Sequence, residues 1–186
     1  PATWAREWRW RKRSFERFDA YLNRHYPNRR VRVLDLGCGN GWMSNLLAAN
    51  PLRSVMALDL NETELLQGCR VFLRDNLQFV YGNVLSGALP EKSFEIIVLA
   101  ASVQYFPHLQ ELLPALRRLL AENGTIHFLD SHFYLSEAAK QAAQHRSNAY
   151  YERLGVPEMG KFYHHHSWSE ARELGALNRN RRPDVY

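Results

Sequence analysis

Short apolar runs alternate with helix-like segments between residues 31 and 131, and this alternation is the strongest constraint on the fold. Each run is rich in Val, Leu or Ile, and FEIIVLAAS (94–102) is apolar on both faces. Strands joined by crossover helices at this spacing form a parallel sheet covered by helices. We therefore predict an α/β fold with a doubly wound, mostly parallel sheet and helices on both faces. The predicted strands are 31–36, 54–60, 77–85, 94–102 and 125–131, and the predicted helices among them are 42–49, 62–73 and 109–120.

Local signals mark the ends of these helices. Asn50-Pro51 ends the first, because the residue before a proline resists the helical region. Asn61, followed by Glu64 three residues later, resembles a capping box at the start of the second. For the third, we expect Pro114 in the first turns and Gly124 at the C-terminal cap.

The C-terminal part of the chain carries weaker signals. A helix is predicted over residues 136–154, and KFYHHHSW (161–168) provides at most one short strand. The tail ALNRNRRPDVY (176–186) is polar and does not have the pattern of a buried strand. We expect residues 136–186 to form a substrate or lid region within a single domain, 1–186.

Composition limits the class of protein. With 186 residues and 46% hydrophobic content, the chain suits one globular domain with a sizeable core. No run approaches the ~18 apolar residues that span a bilayer, and no leader pattern occurs, so we expect no membrane partner. The two cysteines, Cys38 and Cys69, are too few for a disulfide framework and are typical of a reducing compartment. We expect a cytoplasmic protein.

Positive charge is concentrated near the N-terminus. The chain has a formal net charge of +5, and residues 1–32 alone carry +7. Apolar side chains recur there at helical spacing, which predicts an amphipathic helix with the basic WRWRKR segment largely outward. These apolar residues are Trp4, Trp8, Phe15, Phe18 and Leu22. The charge belongs either to a solvated helix face or to an arm for nucleic acid or an acidic partner. We expect residues 1–27 to be a lid helix packed on the domain.

Three glycines alternate directly behind the first strand, in VLDLGCGNGW (33–42). Glycine weakens a strand, so this pattern indicates a turn that a ligand approaches closely. In an open parallel sheet, ligands bind at the carboxyl ends of the strands, where the strand order reverses. The next strand carries Asp59, whose carboxylate can accept hydrogen bonds from both hydroxyls of a ribose. Gly37, Gly39, Gly41 and Asp59 together indicate a ribose-containing cofactor.

The spacing of the glycines distinguishes between cofactors. A dinucleotide fingerprint has its third glycine one residue later, where a pyrophosphate meets the helix N-terminus. Here the order is Asp35-x-Gly37-x-Gly39-x-Gly41, which resembles motif I of the class I S-adenosylmethionine-dependent methyltransferases. An acid at Asp35 suits a cofactor with a cationic methionine tail, whereas it would repel a pyrophosphate.

The resemblance to this family extends over residues 31–131. ALDL (57–60) resembles the second motif, and GNV (82–84) matches the end of the third strand. FEIIVLAASVQYF (94–106) resembles the fourth strand and the loop that faces cofactor and substrate. The resemblance implies a Rossmann-like sheet with its cofactor-binding core at 31–131. The family normally adds two more strands, the last one antiparallel, so either the C-terminal strands are incomplete here or the lid is unusual.

The resemblance also implies a set of cofactor-binding residues, with S-adenosylmethionine as cofactor and S-adenosylhomocysteine as product. It places Asp35 near the cofactor's amino group, Asp59 on the ribose and Asn83 beside the adenine amino group. Cys38, inside the glycine turn, is expected to pack rather than to react. The remaining implied positions are Gly37, Gly39, Gly41, Leu60, Val84 and Ala100.

Methyl transfer from a sulfonium requires mainly in-line positioning and exclusion of water. A hydroxyl or ammonium acceptor also needs a general base. His132, just past the fifth predicted strand, is our candidate for that base, followed by Tyr134, His108 and Tyr105. The run His164-His165-His166 lacks a cysteine or spaced carboxylate to complete a coordination set, so we predict no metal.

Three functions stay open, and the sequence does not identify the methyl acceptor. The first is a methyltransferase for a small-molecule O, N or C acceptor. Ala100-Ala101-Ser102-Val103 replaces the Asn-Pro-Pro-Tyr type of sequence, and no Pro-Cys pair occurs, which argues against the branches that modify cytosine, adenine N6 and glutamine. The second is an RNA or protein methyltransferase that uses WRWRKR and RNRR as basic patches. The third is a nucleotide-cofactor binder without methyltransferase activity.

Overall fold

A computed structural model describes residues 2–173 and 175, with side chains from residue 5 onward. The tail 176–186 and the side chain of Trp4 lie outside the described residues. The helices are α1 (Ala2–His25), α2 (Trp42–Leu47), α3 (Glu62–Val71), α4 (Leu109–Leu119), α5 (Glu137–Arg153) and α6 (Trp168–Glu173). The strands are β1 (Val31–Leu36), β2 (Arg53–Asp59), β3 (Leu77–Tyr81), β4 (Phe94–Ala100), β5 (Leu120–Leu129), β6 (Phe133–Tyr134) and β7 (His166–Ser167).

Five strands form one parallel sheet in the order β3-β2-β1-β4-β5. The order reverses beside β1, which pairs with β2 on one side and β4 on the other. This confirms the predicted doubly wound, Rossmann-like sheet. Within the part of the chain that the structure describes, no further strand extends it.

The chain divides into two compact units. The first unit consists of Pro1–Val103 and Pro114–Ser131 and contains the five-stranded sheet. The second unit consists of Gln104–Leu113 and His132–Tyr186 and contains the parallel pair β6–β7 together with α5 and α6. None of the described helices combines the length and the apolarity that crossing a bilayer requires.

The core of the first unit lies between the sheet and two helices. Strand residues such as Val33 and Ile96 are fully buried because β1 and β4 are central strands. Phe18 and Leu22 of α1 pack against them, as does Leu47 of α2. The predicted amphipathic period of α1 therefore places one face of its C-terminal half in the core.

Polar contacts hold α1 at both ends of the sheet. Arg53, at the start of β2, is 3% exposed, and its Nη1 lies 2.5 Å from the Asp19 carboxylate while its Nη2 donates to Asn23 Oδ1 at 2.8 Å. Ser14 Oγ donates to Asp130 Oδ1, just past β5, at 2.5 Å. The role of this helix as a lid stays a prediction.

Several predicted boundaries are confirmed. The Asn61 side chain accepts a hydrogen bond from the Glu64 N–H, so Asn61 is the N-cap of α3. Ser136 caps α5 in the same way, accepting from the Ala139 N–H. A polar side-chain oxygen at the N-cap satisfies a backbone donor that has no partner inside the helix.

Three boundary predictions are wrong. Gly124 is not a helix cap, because β5 begins at Leu120, directly after α4, to pair with Phe94. The third strand ends at Tyr81 instead of residue 85, because Asn83 accepts from the Leu85 N–H and starts a short 3-10 turn. The strand predicted over 161–168 is limited to β7, whose pairing partner β6 is equally short.

Candidate functional site

The glycine turn joins the carboxyl end of β1 to the start of α2. Gly37, Gly39 and Gly41 have φ values of 72°, 55° and 75°, a region that residues with a Cβ rarely adopt. The Gly37 N–H donates to the Leu58 carbonyl at 2.8 Å, and the Gly41 N–H donates to the Cys38 carbonyl at 3.0 Å. The turn is thus held against the end of β2, at the point where the strand order reverses.

The space around the three glycines differs. A Cβ on Gly41 would lie 2.3 Å from the Phe79 ring, and one on Gly37 would lie 2.5 Å from Ser102 Cβ. These two glycines are required by the packing of the protein itself. A Cβ on Gly39 would meet only the carboxylate of Glu64, the tip of a flexible exposed side chain, at 2.7 Å. Gly39 is therefore the glycine with room for the close approach of a ligand.

Asp59 lies at the carboxyl end of β2, facing the glycine turn. Its Oδ2 accepts a hydrogen bond from the Gly39 N–H at 2.7 Å, and its Oδ1 accepts from the Asn61 N–H at 2.8 Å. An ionised carboxylate has about four lone-pair sites, so each oxygen can accept one further hydrogen bond. The two backbone donors hold the carboxylate in one orientation, as an acceptor for a ligand with neighbouring hydroxyls.

Asp35 lies at the end of β1 and is only 1% exposed. Its Oδ2 accepts a hydrogen bond from Ser44 Oγ at 2.5 Å. Burial raises the pKa of Asp35 to about 7; the Ser44 hydrogen bond opposes this rise, and the nearby Asp59 charge adds to it. A cationic ligand group nearby would favour the ionised form of Asp35.

Cys38 is buried within the glycine turn. Burial raises the pKa of its thiol, and the carboxylates of Asp35, Asp59 and Glu64 add to this rise. The thiol therefore stays protonated, which suits packing and not nucleophilic attack. The same electrostatic contributions indicate that three acidic side chains surround the turn.

The other predicted cofactor residues follow neighbouring strands at the same edge of the sheet. Asn83 is exposed two residues after β3, and Val84 beside it is buried. Leu60 follows β2 and is largely exposed. Ala100 ends β4 and is half-buried. The structure thus brings all ten predicted positions to the carboxyl ends of β3, β2, β1 and β4, and their binding roles stay predictions.

Sequence reasoning missed four residues that shape this edge. Ser44 bonds to Asp35, and Ser102 donates to the Leu36 carbonyl at 2.6 Å. Phe79 fills the space beside Gly41, while Glu64 reaches Gly39 in addition to following the N-cap of α3. Only Ser44 had a usable signal, since it lies in the first turn of the helix that follows the glycines.

The candidate base and its alternatives belong to the second unit. His132 is exposed, with its ring centroid 4.5 Å from that of Tyr134. The exposed Tyr105 ring lies 5.9 Å from the Tyr163 ring, edge to face. The role of His132 as a general base stays a prediction. Across residues 2–173 and 175, no group of three His, Cys, Asp or Glu side chains is arranged to hold a metal ion.

Comparisons with known proteins identify the class. The family described as "Methyltransferase domain" matches residues 34–128, just over half of the chain. The structure of the YcgJ protein from Bacillus subtilis superposes with a TM-score of 0.68 at 21% identity, covering 88% of this chain and 66% of that one. The fold is therefore the Rossmann-like fold of the class I methyltransferases. The chain belongs to the S-adenosylmethionine-dependent methyltransferase family, as the sequence motifs predicted.

Two curated relatives have named substrates. Malonyl-[acyl-carrier protein] O-methyltransferase from Priestia megaterium is 23% identical over 108 residues, 58% of this chain and 39% of that enzyme. Trans-aconitate 2-methyltransferase from Methylobacterium nodulans is 34% identical over 97 residues, 52% of this chain and 36% of that enzyme. The chain thus matches less than half the length of either relative.

The residues at the sheet edge fit the family's cofactor. Gly39 leaves room for close approach, and Asp59 presents oriented acceptors for a ribose. Three acidic side chains, Asp35, Asp59 and Glu64, surround the turn, an environment that suits a sulfonium and an ammonium group and disfavours phosphates.

Proposed function

We propose that this chain transfers the methyl group of S-adenosylmethionine to a small-molecule O, N or C acceptor. The observation that carries the proposal is the Asp59 carboxylate, held by the N–H groups of Gly39 and Asn61 beside a turn whose three glycines have positive φ values. This arrangement supports binding of a ribose without phosphate groups. The family to which the chain belongs supports the reaction.

In this proposal, each residue at the sheet edge has a defined task. Asp59 accepts hydrogen bonds from the ribose hydroxyls, and Asn83 is assigned the contact with the adenine amino group. Asp35, ionised when the cofactor binds, stabilises the cationic tail through its buried charge. The bound cofactor supplies an activated methyl group, so the protein needs to position and desolvate the reactants and requires no covalent residue. His132 would remove the proton from a hydroxyl or ammonium acceptor.

The names of two relatives support an organic acid or acyl acceptor over RNA. Trans-aconitate is a small organic acid, whereas the malonyl group of the other relative's substrate is attached to a carrier protein. The basic segment of α1 remains as the feature that would favour RNA. There Arg11 lies over the Trp8 ring at 5.7 Å and Arg13 over the Trp10 ring at 5.6 Å, so both guanidinium groups already have an aromatic partner within α1.

Calorimetric titration of the whole chain with S-adenosylhomocysteine tests the cofactor site. We expect micromolar binding and no binding of NADH. Asp59→Ala should weaken binding at least tenfold, since hydrogen bonds to a charged group contribute about 1.5–3 kcal/mol. Asp75→Ala is the matched control, because Asp75 is exposed in the loop before β3, at the opposite ends of the strands.

A methyl-transfer assay with labelled cofactor tests the acceptor class. We expect label in a small-molecule fraction, at a rate that total RNA does not increase. Label in RNA, with transfer that falls steeply with salt, would instead support the basic segment as a phosphate-binding surface.

In the calorimetric titration, equal affinity of the intact chain and Asp59→Ala for S-adenosylhomocysteine would overturn the proposed cofactor site.

A further inference from the structure

The second unit contains a cavity of about 270 Å³ that the proposed cofactor site does not use. We call it the tyrosine cavity; it is lined by Tyr134, Tyr151, Tyr163, Arg146, Ser147 and His165, among others. Its size approaches the lower end of the range for small-molecule sites, about 300–1,000 Å³. All six residues belong to the second unit.

The framework of the cavity is held by contacts within the second unit. Gln144 Nε2 of α5 donates to the Tyr163 carbonyl at 3.3 Å, which ties the helix to the segment opposite. Lys140 Nζ lies 2.7 Å from Glu170 Oε1 and joins α5 to α6. The arginine, the serine and one of the tyrosines project from α5, so their positions follow from one rigid element.

Arg146 is the only formal charge among the described residues that line the cavity. In the described part of the chain, no carboxylate forms an ion pair with it, and the Tyr134 hydroxyl accepts a hydrogen bond from its guanidinium. His165, whose Nε2 lies 2.9 Å from Ser147 Oγ, does not share the charge. Burial, helped by Coulomb interactions with His166 and Arg146, lowers the pKa of His165 to about 4, so its imidazole is neutral near pH 7.

Tyrosine rings supply both the walls and additional donors. The Tyr163 ring centroid lies 6.2 Å from that of Tyr151 and 5.3 Å from that of His165, in tilted and edge-to-face arrangements. Burial raises the pKa of Tyr134, Tyr151 and Tyr163, so their hydroxyls keep their protons and can donate. A single guanidinium among hydroxyl donors is complementary to an anion, and ring faces are complementary to a planar apolar body.

We propose that the tyrosine cavity binds a small aromatic acid, with Arg146 as the partner of its carboxylate and the tyrosine rings around its planar part. A cation would be repelled by Arg146, and a neutral molecule would leave its charge without an anionic partner. Binding of this acid in the cavity does not depend on the proposed function. The further step, that the acid is the methyl acceptor, rests on the proposed function.

Binding of matched probes to the whole chain tests this inference. Benzoate and benzamide have nearly the same shape and differ in charge, and phenyl phosphate carries a different anion. Ligand-observed NMR titration should show benzoate binding at least tenfold more tightly than benzamide. Arg146→Gln should remove that preference, whereas Arg146→Lys should retain part of it because the charge remains. Arg153→Gln is the matched control, since Arg153 ends the same helix and does not line the cavity.

The outcomes separate this inference from the proposed function. Circular dichroism and S-adenosylhomocysteine binding show whether each variant is folded. Loss of benzoate binding in Arg146→Gln with unchanged S-adenosylhomocysteine affinity supports the cavity. Equal binding of benzoate and benzamide, tighter binding of phenyl phosphate, or no benzoate binding overturns it, even where the cofactor binds. Benzoate binding without cofactor binding would overturn the proposed function alone.

Discussion

A Cβ atom on Gly37 would lie 2.5 Å from Ser102 Cβ and 2.9 Å from Ser102 Oγ. Ser102 is buried, and its hydroxyl donates to the carbonyl of Leu36, the residue before Gly37, at 2.6 Å. The serine therefore has little room to withdraw. The glycine turn and the segment after β4 lie so close together that residue 37 has room for a hydrogen atom but not for a Cβ.

Gly37→Ala should lower the free energy of unfolding by about 2–5 kcal/mol, since the left-handed backbone costs about 1–2 kcal/mol and overpacking adds about 1–3 kcal/mol. Gly87→Ala separates the backbone cost from the overpacking. Gly87 has a φ of 76°, but a new Cβ there would lie 3.5 Å from Arg118 Nη2, which is an ordinary contact. This substitution should cost only about 1–2 kcal/mol. Urea denaturation of both variants measures the difference, and equal losses would contradict the close contact with Ser102.

Asp35 should make stability depend on pH. Burial raises its pKa from 3.8 to about 7, so the folded chain holds this proton more tightly than the unfolded chain does. Its stabilising contribution is complete below about pH 4 and is lost as the pH rises towards about 7. The loss is roughly 1–4 kcal/mol, because each unit of pKa shift corresponds to about 1.4 kcal/mol.

Asp35→Asn isolates this effect, since the amide stays neutral and can still accept from Ser44. The variant should be more stable than the wild type at pH 8 and lose that advantage at pH 4. Urea denaturation at several pH values between these limits provides the comparison. A variant that is less stable than the wild type by the same amount at every pH would show that Asp35 does not titrate in this range.

The stability of the fold should depend on the ion pair between the buried Arg53 and Asp19. Removing one partner of a buried ion pair leaves the other charge uncompensated, at a cost of about 3–5 kcal/mol. Asp19 is itself partly exposed and Asn23 Oδ1 also accepts from Arg53, so Asp19→Asn should cost less, about 2–3 kcal/mol. Glu16→Gln on the same helix breaks only an exposed pair at 3.8 Å and should cost no more than about 0.5 kcal/mol. Similar melting temperatures for the two variants would contradict the buried pair.

The sequence was sufficient for elements whose signal is local. The five parallel strands and the cap at Asn61 were predicted because apolar runs and a side-chain acceptor act within a few residues. Gly124 was predicted wrongly because pairing of Leu120 with Phe94 overrode the usual preference of glycine for a helix cap. Such pairing depends on another strand and is not visible in a local pattern.

In the candidate site, too, only the residues with a local signal could be predicted from the sequence. The glycines and Asp59 could be located, since turns at strand ends depend on nearby residues. Phe79 and Ser102, which fill the space against those glycines, could not, because Phe79 lies on β3 and Ser102 in the segment after β4, both distant from the glycines in the sequence. The tyrosine cavity was not foreseen either, as its rings meet through the packing of α5 against a distant segment without a periodic signal.

Trp8 should contribute to cofactor binding if the first turns of α1 cover the site. Its ring packs edge to face on Trp42, at 5.4 Å between centroids, and Trp42 directly follows the glycine turn. Trp8→Ala should weaken S-adenosylhomocysteine binding about twofold to tenfold, the equivalent of an aromatic pair of about 0.5–1.5 kcal/mol. Trp10→Ala, at a similarly exposed position, should leave it unchanged. Equal effects of the two variants would argue against a lid.

The contact between Ser14 and Asp130 joins residues 116 positions apart in the chain. Phe18 and Tyr21 likewise meet His127 of β5, at centroid distances of 5.0 and 5.1 Å. Closing a loop of that length costs conformational entropy before the contact at its ends can stabilise the chain. Proteins with many such contacts therefore fold more slowly. We therefore expect the helix that precedes the sheet in the chain to dock late in folding, once the last strand of the sheet has been placed.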